Sequence, residues 1–242
     1  MESRYERRIV IMKAKSDKVI NILEDFTKSY IKKTKNLIDF KFGFKVDEDF
    51  YIVDIKEDQI FNISKSNEVL EIFSFVTDIN TLEKIYSKEM SAMAAMGREY
   101  WSDKTPLDFI NFEKIPQNIN PLKFIFSYFI LDQPEKIKLG KEHARIVHGG
   151  YAIPIVYDKG LRTGWYRVEK GMIINEEENQ QTNPFSTLVI AIKGKGQVKI
   201  GDEKYNFEDG DAYYIDKNVH HSFWTDEEEG LDFIIIMYGE GA

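Results

Sequence analysis

The 242-residue chain contains no cysteine. That absence excludes disulfides, thiolate nucleophiles and Cys-ligated zinc together. Histidine is scarce, with His143, His148, His220 and His221 the full set. Basic charge is outweighed: 33 Lys and Arg stand against 41 Asp and Glu, for a net charge of −8. Nucleic acid and anionic lipid surfaces reward a basic face, so neither is expected as a main partner. No apolar run approaches the ~20 residues needed to span a bilayer. The opening MESRYERRIVIMKAKSDK also lacks the apolar core of a secretory signal, so the expected setting is the cytoplasm. Phosphate-cradling loops, dinucleotide fingerprints and a Ser-His-Asp set in recognisable context are missing as well.

What remains can bury a core. A hydrophobic content of 43% argues against disorder, and the length suits one large domain or two small ones. Arg7 to Met12 is a short apolar run, a strand or docking arm. Val19, Ile20, Ile22, Leu23, Phe26, Tyr30 and Ile31 then recur at helical spacing and predict an amphipathic helix over 17–35. Phe40, Phe42, Phe44 and Val46 switch to period two. Asp47-Glu48-Asp49 turns the chain into strands around Phe50 to Ile55 and Ile60 to Ile63, and residues 70–76 make a fourth. Asp78 or Asn80 caps a second helix carrying Leu82, Ile85, Tyr86, Met90, Met93 and Met96, with Gly97 at its end.

Helix, antiparallel meander and helix make an α+β layer fold. The stretches FKFGFKVDEDFYIVDIKEDQIFNISKS, LEIFSFVTD and INTLEKIYSKEMSAMAAMGRE resemble, in that order, the sterol carrier protein type of lipid-binding domain over about 17–112. The resemblance implies a tunnel for a fatty acyl chain or sterol-like ligand. Met90, Met93 and Met96, beside small alanines, would then be its soft wall. Residue by residue, plain core packing is the default reading of the same positions. After them, 116–142 is a connecting segment punctuated by Pro116, Pro121 and Pro134. Within it LKFIFSYFIL predicts a buried helix that docks two domains, or a lid on an apolar pocket.

From residue 143 onward the pattern is all β. Strands are expected near His148 to Tyr151, Trp165 to Val168, Met172 to Ile174, Thr187 to Ile192, Val198 to Ile200, Tyr205 to Phe207 and Phe233 to Tyr238. Gly194-Lys195-Gly196 and Gly201-Asp202 read as hairpin turns. Gly210-Asp211 is a turn, Tyr213-Tyr214-Ile215 a β-prone run, Asp216-Lys217-Asn218 a break, and Val219 to Phe223 a second run containing His220 and His221. Such a series suggests a small barrel with a histidine near its mouth. The stretch resembles the second motif of the cupin family, in which a His follows the Gly of Gly-Asp by eleven residues, here Gly210 and His221. Asp216 stands where the family usually has Pro.

The family's first motif supplies His-x-His, then Glu, then a Gly seven residues after the Glu. Gly194 fits the last position, which puts Thr187 in the Glu position. Gln181 and Asn183, or Gln180 and Thr182, then replace the histidines. Amides and a hydroxyl are weak ligands for first-row transition metals, so no cofactor is expected. The alternative is a divalent metal held by His143 or His148 with His221 and one of Glu176 to Glu178. His221 is either a barrel-lining residue bonded to a neighbour or a polar handle on a ligand. Arg167, beside Trp165 and Tyr166, would be a carboxylate or phosphate handle if it faced inward and a solvated charge if outward.

The expected architecture is therefore an α+β domain over 1–115, a connector over 116–142 and an all-β double-stranded β-helix, a cupin-like barrel, over 143–242. The expected function is non-catalytic binding of a hydrophobic small molecule, with the barrel sensing a small ligand or forming a homodimer. Candidate ligand-binding residues are His221, Gln181, Asn183, Thr187, Tyr214 and Trp165 in the barrel, and Met90, Met93 and Met96 before it; no catalytic residue is assigned. The alternative is a metal-dependent cupin isomerase, epimerase or dioxygenase using His221.

Overall fold

The computed structural model describes residues 4–100, 102–131, 135–177 and 182–242. The chain divides into two compact units, Met1–Ala92 with Pro106–Lys136, and Met93–Thr105 with Ile137–Ala242. The segment expected as a connector over 116–142 is thus split at Lys136, and its apolar helix belongs to the first unit. No helix among the described residues is long and apolar enough to cross a membrane.

In the first unit, helix α1 (Arg4–Lys33) begins earlier than the apolar periodicity and takes in the run expected as a strand from Arg7 to Met12. Strands β1 (Phe40–Val46), β2 (Asp49–Ile55) and β3 (Phe61–Ser66) form the antiparallel meander. The chain then crosses over, and β4 (Ser74–Thr77) lies beside β1 in the same direction, so the sheet is mixed rather than wholly antiparallel. Strand β5 (Leu107–Ile110) closes it, giving the order β3-β2-β1-β4-β5. Alternation decides which side chains go inward: Phe40, Phe42, Phe44 and Val46 are buried while Lys41 is exposed.

Helix α2 (Ile79–Tyr86) is capped by Asp78, whose carboxylate accepts from the Thr81 N–H, as Asp at an N-cap does. It stops short of the methionines. Lys88 takes a left-handed φ of 62°, and the helix restarts only as α3 (Ala92–Met96). Met90 falls in the gap, half-buried, whereas Met93 and Met96 are buried on α3; one continuous methionine face is not formed. Helix α4 (Pro121–Tyr128) lies over the sheet. The Phe124 ring stands 5.0 Å from Phe40 and 5.1 Å from Phe42, and Tyr128 stands 5.2 Å from Phe42. The Thr27 and Tyr128 hydroxyls share a buried hydrogen bond of 2.8 Å, and Ser29 and Lys33 donate to carbonyls that follow α4. Buried aromatic pairs of this kind contribute beyond their area.

The second unit is a barrel of antiparallel strands: β6 (Arg145–Val147), β7 (Gly150–Asp158), β8 (Leu161–Val168), β9 (Ile173–Ile174), β10 (Ser186–Ile200), β11 (Glu203–Glu208), β12 (Ala212–Ile215), β13 (His221–Trp224) and β14 (Leu231–Tyr238). The order is β6-β7-β8-β14-β10-β13-β9, with β11 and β12 also on β10. Two expectations change. His148 and Gly149 form the turn between β6 and β7 instead of a strand. Gly194-Lys195-Gly196 is not a hairpin: β10 continues through it, pairing with β12 and β14 up to Gly194 and with β11 and β13 beyond it. Gly194 has φ +88°, and a Cβ there would sit 2.0 Å from the Gly230 carbonyl oxygen. Only glycine fits where one strand passes from one sheet to the other.

Candidate functional site

Most inward positions of the barrel are apolar. Val168, Val189, Ala191, Val198, Phe207, Phe223, Leu231 and Phe233 form a buried core. Polar groups join it around Thr187, which is 1% exposed and lies between Ile215 and Met237 in the strand register.

His221 opens β13 and is 2% exposed. Its Nδ1 lies 2.9 Å from the Val219 carbonyl oxygen. A carbonyl can only accept, so Nδ1 carries the proton and Nε2 presents a lone pair. The Asn183 amide nitrogen is 3.4 Å from Nε2 and 3.1 Å from the Thr187 hydroxyl oxygen. Asn183 is itself held by the Asn218 N–H, which donates to its carbonyl at 2.7 Å. Burial pushes the His221 imidazolium below its ordinary range, outweighing the Val219 hydrogen bond, with the nearby His220 acting in the same direction. The ring is a neutral acceptor on the barrel's inner face.

His148 is near in the network but not in this cluster. Its carbonyl accepts from the Asn175 N–H at 3.0 Å, and the Asn175 amide reaches the His221 carbonyl at 3.4 Å. Burial lowers the His148 pKa against the pull of Glu99 and Asp103. His143 instead sits 3.4 Å from Glu142. Among the described residues, no group of three or more His, Asp or Glu is arranged to hold a metal ion. The donors gathered at His221 are one imidazole, one amide and one hydroxyl, a set that does not fit the divalent metals of cupin enzymes.

Of the residues expected to bind ligand, His221, Asn183 and Thr187 come together. Tyr214 lies on the outer face, 53% exposed, its hydroxyl bonded to Ser186 and Asp216. Trp165 is buried but alternates with the core-facing Tyr166 and Val168, so it turns away from the interior. Gln181 lies outside the described residues. Arg167 faces outward and is paired with Asp232 at 2.7 Å and Glu169 at 3.2 Å. The sequence reading puts Tyr166 on a strand but gives it no role; its ring stacks 5.8 Å from Phe233 and its hydroxyl is pushed up to about 12 by burial. The reading passes over Arg162, four residues before Tyr166 on the same strand face. The signal for both was the alternation of β8 back from Val168.

Two sheets sharing one long strand, with an apolar interior that ends in polar groups, define a double-sheet antiparallel barrel. Residues 164–237 match the family model described as a cupin domain, and the chain carries a C-terminal cupin domain. No curated protein matches the sequence. Among solved structures, a Cupin 2 conserved barrel domain protein from Salinispora arenicola is 15% identical, covering 45% of this chain and 91% of its own, with a TM-score of 0.39. KdgF from a Halomonas species is 15% identical over 38% of this chain and 82% of its own, with a TM-score of 0.33. An RmlC-like cupin from Shewanella frigidimarina is 14% identical over 39% and 80%, with a TM-score of 0.34.

Proposed function

We propose that the cupin barrel is a metal-independent binding domain for a small polar molecule, oriented by His221, Asn183 and Thr187. The observation that carries the reading is the fixed tautomer of His221: a buried neutral ring with its Nε2 lone pair beside the Asn183 amide, which also reaches the Thr187 hydroxyl. Apolar walls with a few convergent polar groups are the usual make-up of a small-molecule site. A first unit that binds an acyl chain or sterol-like ligand is the companion reading, supported by its order of helix, three-strand meander, crossover strand, helix and closing strand. Such a ligand would need the sheet face that Phe124 and Tyr128 of α4 now cover.

The test pairs elemental analysis of the purified protein with a thermal-shift screen of sugars, amides and hydroxy acids. The expected result is binding without stoichiometric metal, lost in His221→Asn. One equivalent of metal that disappears in His221→Ala would overturn the reading in favour of a metal-dependent cupin enzyme. Native mass spectrometry of the same preparation reads any co-purified lipid and the subunit number expected of a barrel-mediated homodimer.

A further inference from the structure

We infer that Arg162 is the anion-recognition residue of the barrel, and that the small molecule bound there carries a carboxylate. The inference rests on the small-ligand reading above and names the ligand class. Arg162, Gly164, Tyr166 and Val168 share one face of β8, and Val168 is in the barrel core. The Arg162 guanidinium carbon lies 4.7 Å from the ring centroid of Tyr157, its cross-strand partner on β7, and 5.1 Å from that of Phe185. Two aromatic rings therefore hold the flat cation in place.

Its edge is left largely unused. Nη2 donates to the Gly241 carbonyl oxygen at 3.1 Å. Nε is buried with no acceptor, and among the described residues no carboxylate pairs with the side chain. A guanidinium that is partly withdrawn from water without a counter-charge is costly to hold. Five N–H hydrogens in a planar fork, with one spent, match the two oxygens of a carboxylate.

The second end of the ligand is fixed by register. Met237 pairs with Arg162 on one side and with Thr187 on the other. The two backbones are thus two strand spacings apart, roughly 10 Å at ~4.8 Å per strand. Phe185 links them: its ring lies against Arg162, and its carbonyl accepts from the Thr187 hydroxyl at 3.5 Å. A short carboxylate bearing a hydroxyl or keto group spans from Arg162 to the Thr187, Asn183 and His221 cluster. Tyr166, protonated at neutral pH, adds a donor on the same face as Arg162.

The experiment uses the full chain in isothermal titration calorimetry with lactate, succinate and citrate, with inorganic phosphate, and with lactamide as the uncharged counterpart of lactate. Carboxylates are expected to bind and lactamide to bind far more weakly. Arg162→Gln should weaken the carboxylate by about tenfold to a hundredfold, the loss of a charged hydrogen-bonded contact. Arg162→Lys, which keeps the charge but not the fork, should fall between. Circular dichroism confirms that each variant folds. Carboxylate binding unchanged in Arg162→Gln overturns the assignment. Binding of phosphate alone assigns the site to tetrahedral anions and overturns the carboxylate class. Binding of neutral compounds, lost in His221→Asn, with none of the anions, overturns the role of Arg162 while leaving the barrel a binding site. Binding of neither class overturns both readings.

Discussion

Lowering the pH through the histidine range should destabilise the second unit specifically, and His221 should account for a defined part of the loss. The folded state keeps this imidazole neutral because it is 2% exposed. The unfolded chain protonates it near the ordinary value of about 6.5. Between that value and the lowered folded one, the unfolded state binds more protons, so stability falls as pH falls. The slope from one such group reaches about 1.4 kcal/mol per pH unit. Against the roughly 5–15 kcal/mol that holds a domain together, that is a measurable share. His148 adds to it in the same direction, reduced by Glu99 and Asp103. Glu169, held low chiefly by Lys141, acts in the opposite part of the scale, below about pH 4.5, and does not interfere.

The assay is urea unfolding between about pH 7.5 and 5.5, the window that brackets a free histidine, followed by selective tryptophan fluorescence. Trp165 and Trp224 lie in the second unit, and the residue ranges of the first unit contain no tryptophan, so a tryptophan signal does not report the first unit. His221→Asn is the informative variant, because its amide nitrogen takes the place of Nδ1 and can still donate to the Val219 carbonyl. It lowers stability at every pH and should reduce the slope by up to about 1.4 kcal/mol per unit. A variant with the wild-type slope would falsify the claim that His221 is held neutral by burial.

Three further outcomes follow from packing and caps. Phe124→Ala removes a ring that is 2% exposed and packs on Phe40, Phe42 and Phe73, and should cost the first unit about 3–5 kcal/mol; far-UV circular dichroism should register this while tryptophan fluorescence stays put. Gly149 and Gly171 both have φ +83°, but a Cβ on Gly149 would meet the Ile173 carbonyl oxygen at 2.1 Å while one on Gly171 meets nothing within 4 Å. Alanine at 171 should therefore cost only the backbone strain, about 1 kcal/mol, and alanine at 149 clearly more; equal midpoints would refute the steric account. Asp78→Ala removes the cap of α2 and should lower the first unit's stability by about 1 kcal/mol in a urea titration followed by far-UV circular dichroism.

The parts that could be read from the sequence are those where one local rule decides. Phe40 to Val46 alternates because one face of β1 is buried, and Asp78 caps because its carboxylate meets the Thr81 N–H. The Gly210-Asp211 turn, β12 and the His-bearing β13 follow in the expected order. The parts that could not be read depend on distant partners. Nothing local tells that Gly194 bends a continuous strand, since the reason is the Gly230 carbonyl opposite it. Lys88 ends a helix whose methionine spacing would have carried on. Arg167 drew notice beside Trp165 and Tyr166, yet Asp232 and Glu169 hold it outside. Arg162 has no motif around it. Its place depends on the register of β8 with β7 and β14, which brings Tyr157 and Met237 to it.

The interleaved course of the chain bears on how the protein can be taken apart. The first unit is made of Met1–Ala92 and Pro106–Lys136, with Met93–Thr105 given to the second. A cut in the expected connector, after residue 115, would strip the barrel of Gly97, whose carbonyl accepts from Arg145, and of Glu99, which accepts the His148 N–H at 3.2 Å. It would also take α4 from the sheet it covers. Separating the halves for study calls for rejoining the chain in a new order, with 93–105 fused to the barrel and 92 linked to 106, rather than for truncation. During synthesis, likewise, the first unit cannot close until residues well past its own sheet have left the ribosome.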